Sequence, residues 1–195
     1  MIDNMDLCLP FLKFNTEDDF YYLQIIQRRK EHEDLSKNSR VIRSYYIRNL
    51  EYLMKRYDTI KDMCNYFNAR AMLRLNKRSF KKVAFRTLQN ITAQMMQDDF
   101  MSARQAFNKA CGQCHNDKHK SWIIDLDTRD NKTFNEISYA IAFKCQPFDE
   151  DKIIAVIPSK AGCHLITKPF NVKQFKDYGF TEDIHKDNPT NLYIP

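Results

Sequence analysis

Glycine is almost absent, with three in 195 residues. Loops that cradle phosphates in P-loop and dinucleotide-binding proteins spend glycines on tight turns and close backbone approach. Neither fingerprint fits this chain. Long apolar runs are missing too, and none approaches the roughly 20 residues of a membrane-spanning helix. The opening stretch, MIDNMDLCLPFLKF, has acids where a secretory signal needs bases. Six cysteines could form a disulfide set only in a secreted chain, so reduced thiols of a cytoplasmic protein are expected. No Cys/His/Asn or Ser/His/Asp grouping stands out for covalent catalysis.

What is present is basic and aromatic. Lys and Arg (31) exceed Asp and Glu (25), which gives a net charge of +6. That excess favours anionic partners such as nucleic acid or nucleotide phosphates. The length suits one domain with a sizeable core.

Coarse periodicity divides the chain into a helical, basic half (1–118) and a sheet half (119–195). In the first half, DFYYLQIIQRR and ARAMLRLN read as strands, and apolar residues recur at helical spacing from Val41 to about Phe67. Asp58 is a candidate cap for a second short helix, Ser79 for the helix FKKVAFRTLQNITAQMMQ, and Ser102 for ARQAFNKAC. In the second half, WIIDLD, KIIAVIP, GCHLIT, DIHKD and NLYIP read as strands, with helices at NEISYAIAFKC and NVKQFKDYGF. The expected class is α+β, an antiparallel or mixed sheet with helices on one face and a helical N-terminal half.

Three features on the second-half strands carry chemistry. Asp125 and Asp127 alternate with Ile124 and Leu126, so a strand points both carboxylates to one face. Two like charges side by side repel unless something positive, such as a divalent ion, lies between them. His164 follows a tight turn that holds Lys160 and Gly162. Asp187 lies in DIHKDNPT, with Asp183 as a competing acid four residues earlier.

Asp-x-Asp ending an apolar strand, then Gly-x-His, then a strand ending in Asp resembles the motif order of the archaeo-eukaryotic primase superfamily. SKAGCHLITKPF is similar to the second motif of its phage and plasmid primase-polymerases. The resemblance covers residues 119–195. It implies a primase-polymerase-like fold and metal-dependent nucleotidyl transfer in DNA replication. Asp125, Asp127 and Asp187 would hold a two-metal Mg²⁺ or Mn²⁺ site, and His164 and Lys160 would bind a nucleoside triphosphate. Implied partners are primed or single-stranded nucleic acid and other replication proteins, with no membrane; a phage-encoded chain would work in a bacterial cytoplasm. Two other readings stand beside it, a non-catalytic replication accessory protein with a degenerate primase fold and a metal-dependent nuclease.

The densest basic stretch, NARAMLRLNKRSFKKVAFR, has interleaved phenylalanines. Arg70, Arg74 and Arg78 are its candidates for a single-strand track, while Lys81 and Lys82 read as ordinary solvated residues. CGQCHNDKH offers Cys111, Cys114, His115 and His119 at zinc-compatible spacing, but no second separated pair. One face of a helix explains Cys111 and Cys114 as well, so zinc is not expected.

Overall fold

The computed structural model describes residues 1–35, 38–115, 120–128, 130–148 and 151–195, and these form two antiparallel sheets with helices against them. The fold is α+β. The strands of the first sheet are β1 (Ile2–Asp3), β2 (Asp19–Gln27), β3 (Arg40–Ile47), β4 (Arg70–Leu73), β5 (Arg78–Ser79) and β10 (Thr190–Ile194). Their order is β1-β10-β4-β2-β3, with β5 paired to the start of β2. The second sheet has β6 (Trp122–Leu126), β7 (Ile153–Pro158), β8 (Cys163–Thr167) and β9 (Asp183–His185), in the order β7-β8-β6-β9.

The first half is therefore a sheet layer as much as a helical one. Arg40–Ile47, expected to be helical from Val41 onward, is a strand registered on β2, with Tyr22 opposite Tyr46 and Leu23 opposite Tyr45. Its β-branched and aromatic side chains suit a pleated surface. After the short α1 (Met5–Cys8), the long helix is α2 (Leu50–Phe67). Asn49 caps it by accepting the Tyr52 N–H at 2.7 Å, and Asn68 ends it in the left-handed conformation at φ 46°. Asp58 lies in the middle of this one helix rather than capping a second.

Ser79 caps α3 (Phe80–Met95), its hydroxyl oxygen accepting the Lys82 N–H at 3.1 Å. Ser102 caps nothing. Its N–H donates to Asp99 Oδ1 at 3.2 Å, and a 3₁₀ turn intervenes before α4 (Ala106–Gln113). Asp130 and Asn171 cap α5 (Asn131–Tyr139) and α6 (Val172–Asp177). Buried Lys152 closes the π-helical end of α5, donating to the carbonyls of Ala142 and Pro147.

Helices cover both faces of the first sheet. On one, Leu53, Tyr57 and Ile60 of α2 pack against Leu23, Ile25 and Leu73. On the other, Val83 of α3 and Ala110 and Cys111 of α4 pack against Phe20 and Tyr22. The second sheet turns Trp122, Ile124, Leu126 and Leu165 toward α5 and α6, and gives Ile123, Ile157 and Ile166 to the α2 cluster. Each fully buried aliphatic side chain of this kind contributes about 1.5–3 kcal/mol. The sheets are tied by Asn4, whose amide donates to Pro158 O (3.0 Å) on β7 and Asn191 O (2.9 Å) on β10.

Candidate functional site

The alternation that sends Trp122, Ile124 and Leu126 to the α5/α6 side sends Asp125 to the face looking toward the first sheet. Asp125 is registered with His164 on β8 and with Asp183 on β9. Adjacent strands lie about 4.8 Å apart, so the three residues form one row across three strands. Ile157 of β7 extends the row beyond His164.

His164 is 8 % exposed, yet its neighbours are polar. Nδ1 lies 2.8 Å from the Thr190 hydroxyl of β10, and Nε2 lies 3.5 Å from Asp125 Oδ1. Burial pushes the imidazole below its ordinary value of 6.5; Asp125 opposes this, while His185, Arg28 and Arg70 reinforce it. The ring is therefore neutral near pH 7. A carboxylate can only accept, so the single ring proton belongs on Nε2, and the Thr190 hydroxyl donates to Nδ1. The outcome is an N–H donor held at a fixed angle beside Asp125. The Asp125 side chain is one-third exposed, and Asp127 and Asp183 are exposed, so the row opens to solvent on the acid side.

The turn before His164 has a strict requirement. Ser159 and Gly162 close it, with Ser159 N–H donating to Gly162 O at 2.9 Å and Gly162 N–H to Ser159 Oγ at 3.1 Å. A Cβ on Gly162 would meet Leu126 O at 2.0 Å and Thr128 N and O at 2.8 Å. Only glycine lets the turn lie directly on the backbone around Asp127. Lys160 is at the exposed tip of this turn.

Asp187 stands apart from the row. Its carboxylate accepts from Arg74 (3.2 Å), Asn76 (3.0 Å) and Arg78. Asn76 also bonds the carbonyl of Ser121, which places the cluster beyond the other end of β6 from Asp127. The acid beside Asp125 is Asp183. The basic track needs a similar correction. The Arg78 side chain is fully buried, bonded to Asp187 and to the Asn76 and Cys111 carbonyls. Arg70 is buried against Glu31, and Arg74 is tied to Asp187. These arginines are internal struts, because each meets an acid distant in sequence.

Cys111 is fully buried, and burial pushes its thiol up to about 12, so it is no ready thiolate ligand. His119 lies outside the described residues. Among the described residues, no three or more His, Cys, Asp or Glu side chains are gathered so as to hold a metal ion. The Asp125, Asp127 and Asp183 set is nevertheless all hard oxygen. Mg²⁺ is commonly held by one or two carboxylates plus substrate phosphates, keeping several waters, and the donor chemistry fits such an ion.

No family model, curated protein or solved structure matches the chain. No helix among the described residues is long and apolar enough to cross a membrane. A shallow hollow lined by Gln146, Pro147, Phe148, Pro169 and Phe170 lies past the Thr167 end of β8 and carries no titratable group. The Asp125–His164 row is at the other end. Sequence reasoning missed Thr190 and Arg28 there; Thr190 begins β10 and Arg28 follows β2, both distant in the chain from Asp125 and His164, so no local pattern flags them.

Proposed function

We propose that the chain binds a nucleoside triphosphate at the Asp125–His164 row and transfers its nucleotidyl group to a nucleic-acid 3′-hydroxyl, as primase-polymerases do. The observation that carries this reading is the direct register of Asp125 with His164, a carboxylate beside an oriented N–H donor. Asp125 and Asp127 would hold Mg²⁺ or Mn²⁺, with Asp183 rather than Asp187 as the third acid. A bound divalent ion supplies activation of the 3′-hydroxyl and charge neutralisation of the leaving pyrophosphate. His164 donates Nε2–H to a phosphate oxygen while Thr190 fixes the ring. Half-buried Arg28 adds positive charge in the neighbourhood, where it helps to lower the His164 pKa.

The accessory-protein reading rests on one observation, the small exposure of His164, whose Nδ1 is already engaged by Thr190. Calorimetry with and without metal, followed by primer extension on a single-stranded template, separates the two. Nucleotide binding is expected to require Mg²⁺ or Mn²⁺, and Asp125→Asn with Asp127→Asn to abolish that requirement while the circular dichroism spectrum is kept. His164→Ala is expected to weaken binding about tenfold to a hundredfold at saturating metal, the loss of a charge-assisted bond. Metal-dependent binding without extension would make the chain an accessory protein. Equal binding in chelator would defeat the nucleotidyl-transfer reading.

A further inference from the structure

Three arginines at the edge of the first sheet differ from those inside it. Arg43 is on the edge strand β3, Arg48 follows that strand, and Arg56 is on the adjoining α2. All three are exposed. Arg70, Arg74 and Arg78 each meet Glu31 or Asp187. Among the described residues, Arg43, Arg48 and Arg56 meet no carboxylate and donate no hydrogen bond. They meet rings instead. Arg48 Cζ lies 5.7 Å and Arg56 Cζ 5.9 Å from the centre of the Tyr52 ring, and Arg43 Cζ lies 5.3 Å from that of Tyr45. Burial raises the Tyr45 pKa, Arg43 and Arg56 oppose this and Tyr52 adds to it, so the arginines and tyrosines form one patch. Contact with a ring steadies a long side chain while leaving its N–H groups for a ligand.

Charge and shape narrow the ligand. Arginine on an edge strand also deters pairing with another sheet, but Arg48 and Arg56 lie off the strand, and that role does not account for them. At 100° per residue, Glu51, Asp58 and Asp62 lie about 80–120° round α2 from Tyr52, an acidic stripe beside the patch. A broad anionic surface such as a bilayer would meet both, whereas a narrow polyanion can follow the arginines alone. The carboxylates of an acidic peptide would use only the guanidinium edges. A single nucleic-acid strand uses edges and planes together, its phosphates accepting from the N–H groups and its bases stacking on guanidinium and aromatic planes.

We propose that the Arg43–Arg48–Arg56 patch binds single-stranded nucleic acid, with phosphates at the guanidinium edges and bases on the planes. It would hold the strand on which the proposed transfer acts, and only that use rests on the nucleotide reading. The patch shares no residue with the Asp125–His164 row, and its test is run in chelator, so either can fail alone. Anisotropy of the full chain at low salt would compare a labelled single-stranded oligonucleotide, an abasic strand with the same number of phosphates, and a polyglutamate of equal charge. The oligonucleotide is expected to bind at least about tenfold tighter than either. Replacing Arg43, Arg48 and Arg56 together by alanine is expected to weaken it at least about tenfold and to flatten the slope of log K against log salt by about 2, at roughly 0.7 per phosphate contact. The three matching lysines should restore the slope but not the preference over the abasic strand, because an ammonium has no plane. Lys81→Ala with Lys82→Ala, two exposed cations elsewhere, should leave affinity within about twofold. Unchanged affinity in the alanine variant, equal binding of the abasic strand, or full recovery by the lysines would overturn the proposal. So would polyglutamate or anionic vesicles binding as tightly as the oligonucleotide. Should the alanine variant fail to fold, the lysine variant and the abasic strand still decide.

Discussion

Replacing Asp187 by asparagine separates a structural acid from a catalytic one. The carboxylate is the acidic partner of Arg78, whose side chain is fully buried, and of Arg74, whose side chain is 20 % exposed. The other Arg78 partners, the Asn76 and Cys111 carbonyls, are neutral. Burial pushes the Arg78 pKa down and Asp187 opposes it, so without the acid a buried guanidinium has little to offset its desolvation. Breaking one side of a buried ion pair costs about 3–5 kcal/mol. Asparagine keeps the shape and the bond from Asn76, so the loss reports charge. In a domain of this size each kcal/mol moves Tm by about 2–4 °C, giving a fall of roughly 6–20 °C. Urea unfolding and a thermal melt would measure it. Asp187→Leu with Arg78→Met should recover the share of the loss that comes from buried Arg78, because apolar replacement of a buried pair is often neutral, while partly exposed Arg74 stays without its carboxylate. If Asp187→Asn unfolds within about 1 kcal/mol of the parent and instead loses metal-dependent nucleotide binding, Asp187 is a site acid and Asp183 is not.

Two further outcomes follow from local geometry. Gly162→Ala places a methyl 2.0 Å from a backbone oxygen that cannot rotate away; overpacking of this kind is expected to cost at least about 3 kcal/mol and to raise amide exchange at Leu126 and Cys163, and a change below about 0.5 kcal/mol in urea would show that the turn is not seated on β6. Burial raises the Asp19 carboxyl pKa, but the Lys77 ammonium and the Asn15 and Thr16 N–H groups together hold it below the usual 3.8. A depressed acid contributes stability that is complete above its unfolded value and is lost as pH falls through the folded one. Asp19→Asn is therefore expected to lower stability at pH 7 and to flatten its decline toward pH 3, and an acid limb as steep as the parent's would remove Asp19 from the account.

Local chemistry made much of the fold legible before any coordinates. Ser79 announces α3 because a hydroxyl before a helix has a definite job, and WIIDL, IIAVIP and CHLIT are strands because their side chains suit a pleat. The failures have a common cause. Ile42, Tyr45, Tyr46 and Asn49 match helical spacing, yet Arg40–Ile47 pairs with β2 along its length, and hydrogen bonding to a distant strand outranks a short periodic match. Ser102 looked like a cap because its type is right, but Asp99 engages its N–H and leaves a 3₁₀ turn there.

The site shows the same division more sharply. Parity along a strand says which residues share a face and predicts one for Asp125 and Asp127, but β6 ends at Leu126, so only Asp125 is held in the row. Asp183 and Asp187 have equal parity, so no pattern within DIHKD can choose between them. The choice is made by which carbonyl on β6 pairs with which amide on β9, and that register sets Asp183 against Asp125. An extended chain advances at most about 13 Å in four residues, and by Asp187, two residues past the end of β9, the row beside Asp125 has given way to the cluster of Arg74, Asn76 and Arg78. The arginines were misread for the complementary reason. Their spacing predicts one face for Arg70, at the start of β4, and Arg74, just past its end, but whether a cation meets a phosphate or an internal carboxylate depends on the acid opposite. Here those acids are Glu31 and Asp187, from segments on either side of β4 in the chain. A basic run becomes a nucleic-acid surface only where the fold withholds such acids. The helices of the α3 and α4 hairpin contain no acid, and there Lys81, Lys82 and Arg86 stay exposed.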